Sequence, residues 1–170
     1  MWNDVTALSH ASQSLEVAGE LARGPGFQVV LMHMKGEPRT MQDAPTYQDV
    51  VQEVEAYLLN RARAAEAVGL TRDQIWLDPG IGFGKTLAHN LALLRATARL
   101  AGHGYRVLIA ASRKRFILGI DDQATAATDR LGGSLATHLY AAQAGAAMVR
   151  VHDVRETVQA LRVMAAILTA

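Results

Sequence analysis

At 170 residues, half of them hydrophobic and 19% charged, with a net charge of +1, the chain is long enough for one domain with a sizeable core. The charge balance excludes a broad basic surface for nucleic acid, and the absence of cysteine excludes disulfides, thiolate metal sites and cysteine nucleophiles. No apolar run approaches the ~18 to 20 residues of a membrane helix, and Asn3-Asp4 stand where a leader would be apolar, so a soluble cytoplasmic protein is expected, with neither membrane nor nucleic-acid partners.

In chain order, residues 1–6 read as the end of a strand, and short β-rich apolar runs follow at 29–32, 75–77, 107–111 and 148–151. Longer stretches of helical period separate them, the pattern of βαβ units and a parallel sheet of five visible strands. Thr46 with Asp49 is a candidate capping box for a helix whose apolar stripe is Val50, Val54, Leu58, Ala62 and Ala65, stopped by Gly69. Asp153 with Glu156 repeats the device before a last helix carrying Val154, Val158, Leu161, Ala165 and Leu168 on one face. No linker or low-complexity tract divides residues 1–170, so a single domain is expected.

Residues 77–86 are the most informative segment: a strand delivers Asp78 into the glycine-rich loop Pro79-Gly80-Ile81-Gly82-Phe83-Gly84-Lys85-Thr86. A P-loop would need Gly at Pro79, and a dinucleotide fingerprint starting at Gly80 would need Gly at Lys85, so neither nucleotide motif fits. The loop can instead pass close to a flat ligand, with Phe83 available to lie against it.

Polar residues follow each strand: Asn3-Asp4, His33-Met34, Asp78, Ser112-Arg113-Lys114, and Arg150 with His152. Taken singly, an Asn or Asp after a strand caps a turn, a lone His is a hydrogen-bonded structural residue, and a charge run is a solvated face. Their recurrence at successive βα junctions puts all of them on one rim if the strands belong to a (β/α)₈ barrel. Asp78, with Asn3, suits a heterocycle offering coplanar N–H groups, because a carboxylate accepts two parallel hydrogen bonds. Lys114, Arg150 and His152 suit a phosphate or diphosphate. The spacing of a Ser–His–Asp arrangement or an HExxH zinc site is missing, so the site reads as one for binding and leaving-group stabilisation.

Together, Asn3-Asp4-Val5, Leu31-Met32-His33-Met34-Lys35-Gly36, the 78–85 loop, Ser112-Arg113-Lys114-Arg115-Phe116 and Arg150-Val151-His152-Asp153-Val154 resemble dihydropteroate synthase across essentially the whole chain. The resemblance implies a (β/α)₈ TIM-barrel enzyme of folate synthesis, the target of sulfonamides. It would join 6-hydroxymethyl-7,8-dihydropterin pyrophosphate to 4-aminobenzoate and release pyrophosphate. It assigns Asn3, Met32, Asp78, Gly82, Phe83 and Lys114 to the pterin pocket, Arg150 and His152 to pyrophosphate, and Ser112, Arg113 and Lys114 to the aminobenzoate side. Lys114, Arg150 and His152 are then the candidate catalytic groups, acting as pyrophosphate departs and a cation develops on the pterin methylene. The resemblance further implies magnesium accompanying the pyrophosphate, with no ligand identifiable in this chain, and a homodimer formed through late helices.

A full barrel takes about 250 residues, so the resemblance covers a partial barrel lacking roughly the first three βα units. With five strands, open sheet edges and a partly wetted apolar interior are expected, and with them a marginal or associating chain. A catalytically silent fragment is therefore one alternative, which an assay with both substrates separates. A pterin-dependent methyltransferase is another, but Ser112-Arg113-Lys114 and Arg150-Val151-His152 argue against it, since methyl transfer needs no pyrophosphate site.

Overall fold

The computed structural model describes residues 1–36, 41 and 44–170. Its elements in order are β1 (Trp2–Asp4), α1 (Ser14–Ala22), β2 (Val29–Met32), α2 (Val50–Ala67), β3 (Ile75–Asp78), α3 (Leu87–Arg95), α4 (Thr97–Ala101), β4 (Arg106–Ile109), α5 (Leu131–Gln143), β5 (Met148–Val149) and α6 (Val154–Thr169). The strands form one parallel sheet in the order of the sequence, β1-β2-β3-β4-β5, with Met32 level with Asp78 and Ile109 level with Val149. This is a partial α/β barrel of five consecutive βα units. The expected strands are all present; Ala110 and Ala111 leave the ladder earlier than the sequence suggests, although Arg150 N–H still donates to Ile109 O at 3.0 Å.

Alternation along the strands divides the core in two. Val29, Leu31, Ile75, Leu77, Val107 and Ile109 face the helices and join the main cluster with Val54, Leu58, Ala62 and Ala65 of α2. The other face carries Val30, Trp76, Leu108 and Ala110, with Met148 packed against them. That inner face was expected to be partly wet, yet Val30, Met32, Trp76, Leu108 and Ala110 are all buried, at 0 to 6% exposure. The reason is local: Trp76 lies across the floor, its Nε1 donating to Gln28 Oε1 at 2.9 Å while Arg106 stacks 5.3 Å from its ring centre. The open edges are as expected, since among the described residues β1 pairs only with β2 and β5 only with β4.

Two helix starts differ from the sequence reading. The cap of α2 is Asp49 itself, whose Oδ1 accepts from Val51 and Gln52 N–H, while Glu53 reaches back to Gln48 and Asp49 N–H. The cap thus sits three residues beyond Thr46, because Asp49 is the residue next to the first helical turn. At α6 the Asp153 carboxylate makes no capping bond; it is committed to Arg113 instead. The α6 stripe also fails as a core stripe: Val154 is 60% and Leu168 61% exposed, since α6 flanks the open edge at β5 and buries only Thr157, whose hydroxyl lies 3.4 Å from His138 Nδ1.

Candidate active site

Every strand ends at the same rim, and the turns after β2, β3, β4 and β5 build the site there. Asp78 closes β3 and is 1% exposed. Its Oδ1 accepts the Gly80 N–H at 2.7 Å, whereas Oδ2, equally buried, has no hydrogen-bond partner among the described residues. Burial pushes its pKa up to about 6, opposed by the Gly80 N–H and by the charges of Arg150, Lys85 and Lys114. A buried carboxylate oxygen without a partner costs free energy unless a ligand supplies a donor.

Glycine at 80 is required by geometry: φ is +69° and a Cβ there would lie 1.9 Å from His33 O. The chain after β3 therefore runs in contact with the chain after β2. Gly82 donates its N–H to Asn90 Oδ1 at 2.7 Å, and Asn90 in turn donates to Thr86 O at the start of α3. Phe83, anchored by its N–H on Gly80 O, places its ring 4.2 Å from Lys114 Nζ. Cation and ring form one wall, and burial followed by the neighbouring Arg150 charge lowers the Lys114 pKa.

Beside that wall lies a cleft of about 340 Å³ lined by Ala110, Ser112, Lys114, Arg150, Val151 and His152. Ser112 Oγ accepts the His152 N–H at 3.2 Å and lies 3.0 Å from His152 Nδ1, tying the turn after β4 to the turn after β5. Arg150 and His152 are exposed, so with Lys114 three basic side chains line an open cleft. Such a lining fits an anion, with Arg as a planar fork and Lys as a point charge.

The expected residues are distributed unevenly. Asp78, Met32, Gly82, Phe83 and Lys114 come together, with Met32 1% exposed on the strand adjoining Asp78. Ser112, Lys114, Arg150 and His152 share the cleft. Asn3 does not sit beside Asp78: it is exposed on β1, level with Val30, with β2 between it and β3. Asp4 forms a local turn, accepting from Thr6 N–H at 2.7 Å. Arg113 has φ +58° and its guanidinium is held in a bidentate pair by Asp153, so its side chain braces the cleft. Sequence reasoning missed three supports. Asn90 holds Gly82; Ser134 Oγ accepts the Arg113 N–H at 2.9 Å; and buried Arg130 donates to Ala124, Arg113 and Thr125 carbonyls. None carries a recognised sequence motif, and the bonds of Ser134 and Arg130 to Arg113 form only through the fold.

The profile of the family described as pterin binding enzyme matches residues 1–152. The dihydropteroate synthase of Escherichia coli K12 is 43% identical over 168 residues, covering 99% of this chain and 57% of that protein. Among solved structures, the dihydropteroate synthase of Stenotrophomonas maltophilia with imidazole in its active site superposes with a TM-score of 0.90 at 41% identity, covering 97% of this chain and 60% of that one. That of Xanthomonas albilineans in complex with 7,8-dihydropteroate gives 0.88 at 42% identity, covering 99% and 59%. This chain thus spans 57 to 60% of the length of these relatives. With Asp78, the glycine loop, Lys114, Arg150 and His152 all inside the matched region, the chain belongs to the pterin binding enzyme family.

Proposed function

We propose that this chain carries the pterin and pyrophosphate sites of a dihydropteroate synthase, which joins 6-hydroxymethyl-7,8-dihydropterin pyrophosphate to 4-aminobenzoate. The observation that carries the reading is the unpartnered Asp78 Oδ2, a buried acceptor beside a cation–ring wall and next to a basic cleft. Oδ2 accepts from the pterin's ring N–H and amino groups, and Phe83 and Met32 cover the ring. Lys114, Arg150 and His152 take up negative charge as the C–O bond to pyrophosphate breaks and the aminobenzoate nitrogen forms the new C–N bond, releasing its surplus proton. Ser112 holds His152 toward the leaving group, and Arg113 acts on the aminobenzoate side through the backbone of its turn. Magnesium would accompany the pyrophosphate and offset part of the leaving group's charge.

The relative of known structure that binds 7,8-dihydropteroate supports the same chemistry for this chain. Its partner is read as a second copy, meeting across the apolar groove of about 540 Å³ between α3 and α5, where Leu91, Phe116, Ile117, Ile120 and Tyr140 are gathered. Among the described residues no helix is long and apolar enough to cross a membrane, and a cytoplasmic location is the reading that suits folate synthesis. Calorimetry with 6-hydroxymethylpterin and with pyrophosphate tests the sites separately. Asp78→Asn should weaken the pterin by at least about tenfold and leave pyrophosphate binding intact, because an amide facing the ligand's donors replaces an acceptor with a donor. Equal pterin affinity in the two proteins would remove Asp78 from the site.

A further inference from the structure

The loop that carries Asp78 is closed from beneath by a side chain that the proposed reaction does not use. Lys85 is 3% exposed, and an ammonium that deep is tolerable only when its N–H groups are met. Nζ donates to Phe83 O at 2.9 Å and His33 O at 3.3 Å, and lies 3.1 Å from His33 Nδ1. Burial, then the Lys85 charge, lowers the His33 pKa to about 3, so the ring is neutral and Nδ1 accepts. Tyr57 stands edge-on to that ring at 5.0 Å, fixing its plane. One ammonium thus bonds the turn after β2 to the loop after β3, beside the first of the two places where their backbones touch. Glycine is forced at both: a Cβ on Gly80 would meet His33 O at 1.9 Å, and one on Gly84 would meet Lys35 O at 2.2 Å.

We propose that Lys85 is a positioning residue for the pterin pocket: its ammonium clips the Gly80–Gly84 loop to the end of β2 and, as a buried cation, favours the carboxylate form of Asp78 with Oδ2 open to the ligand. The inference rests on the pterin-binding reading above. The charged groups acting on Asp78 come from three places: Lys85 in its own loop, Lys114 after β4 and Arg150 after β5; neutral His33 meets Lys85 instead. Burial opposes the charge on Asp78, whereas Arg150, Lys85 and Lys114 favour it, so deleting the Lys85 charge must move the Asp78 titration to higher pH.

The test follows the Asp78 carboxyl carbon and the Gly80, Gly82 and Gly84 amides by NMR in the unliganded chain, unsubstituted and as Lys85→Met and Lys85→Gln, alongside calorimetry with 6-hydroxymethylpterin. Lys85→Met should displace the loop amides, raise the Asp78 midpoint and weaken the pterin by about tenfold or more. Lys85→Gln keeps amide donors without the charge, so it should leave the loop amides near their original positions and still raise the Asp78 midpoint. An Asp78 titration and loop amides unmoved by Lys85→Met would overturn the proposal. If Lys85→Met does not fold, an Asp78 midpoint unmoved in Lys85→Gln would do the same. Moved NMR signals in a chain that takes up no pterin even when unsubstituted would sink the pterin reading and leave the positioning role standing.

Discussion

Burial holds the Asp78 carboxyl up at about 6, so at neutral pH the folded chain keeps an ionised group that the unfolded chain, with an Asp near 3.9, ionises more readily. Between those values the native state binds more protons than the unfolded state, so stability falls as pH rises through the window, and the penalty is complete above about 6. Asp78→Asn should therefore raise stability at pH 7 by on the order of 1 to 3 kcal/mol, with the gain fading toward pH 4, even as it weakens pterin binding. Urea unfolding at both pH values checks this, and a variant no more stable than its parent at neutral pH would contradict it. Lys85 runs the other way: burial lowers its pKa to about 7, so its penalty is present below that value and is relieved as pH rises toward the normal lysine range. Both residues are least comfortable near the pH at which the site would work. That is the behaviour expected of groups placed for a ligand.

At the scale of elements, the ion pair between Arg113 and Asp153 joins the turn after β4 to the start of α6. The Arg113 N–H rests on Ser134 of α5 and its carbonyl accepts from Arg130, so a left-handed residue is held from three sides. Ser112 and Lys114 flank Arg113, and His152 precedes Asp153. Loosening the pair should disturb the basic cleft from both directions. Asp153→Ala is expected to weaken pyrophosphate binding by a few-fold in calorimetry while pterin binding stays as it was, the modest size following from solvent access to the pair; equal losses for both ligands would point to general unfolding instead. Charge chemistry explains why this role was hidden in the sequence. Asp153 before an apolar period reads as a helix cap, and only the fold brings an arginine 40 residues away to compete for it. The α2 stripe, by contrast, was legible because Val54, Leu58, Ala62 and Ala65 face the sheet directly, with no competing partner. Asp78 and its glycine loop were legible for a related reason: strand, carboxylate and left-handed glycines are all local.

Over the whole molecule, the parallel sheet and its rim could be read from the alternation of strand and helix, whereas the burial of the inner face could not. That burial depends on Trp76 reaching Gln28, just before β2, and Arg106 at the start of β4, a contact between residues far apart in the chain. Among the described residues, exposed apolar side chains gather on α6, with Val163, Ile167 and Leu168 outward, and along the groove between α3 and α5. The proposed pairing of two copies uses the groove. Tyr140, 46% exposed at its margin, is the residue to change. Sedimentation should give a two-chain species that Tyr140→Glu dissociates, and a single-chain species for the unsubstituted protein at every concentration would remove that reading. Because each strand after the first pairs with the one made just before it, no strand has to wait for a distant partner, and every ladder closes across the helical connection between chain neighbours. The sheet can therefore grow in the direction of synthesis, each new βα unit docking on an edge already formed as it leaves the ribosome.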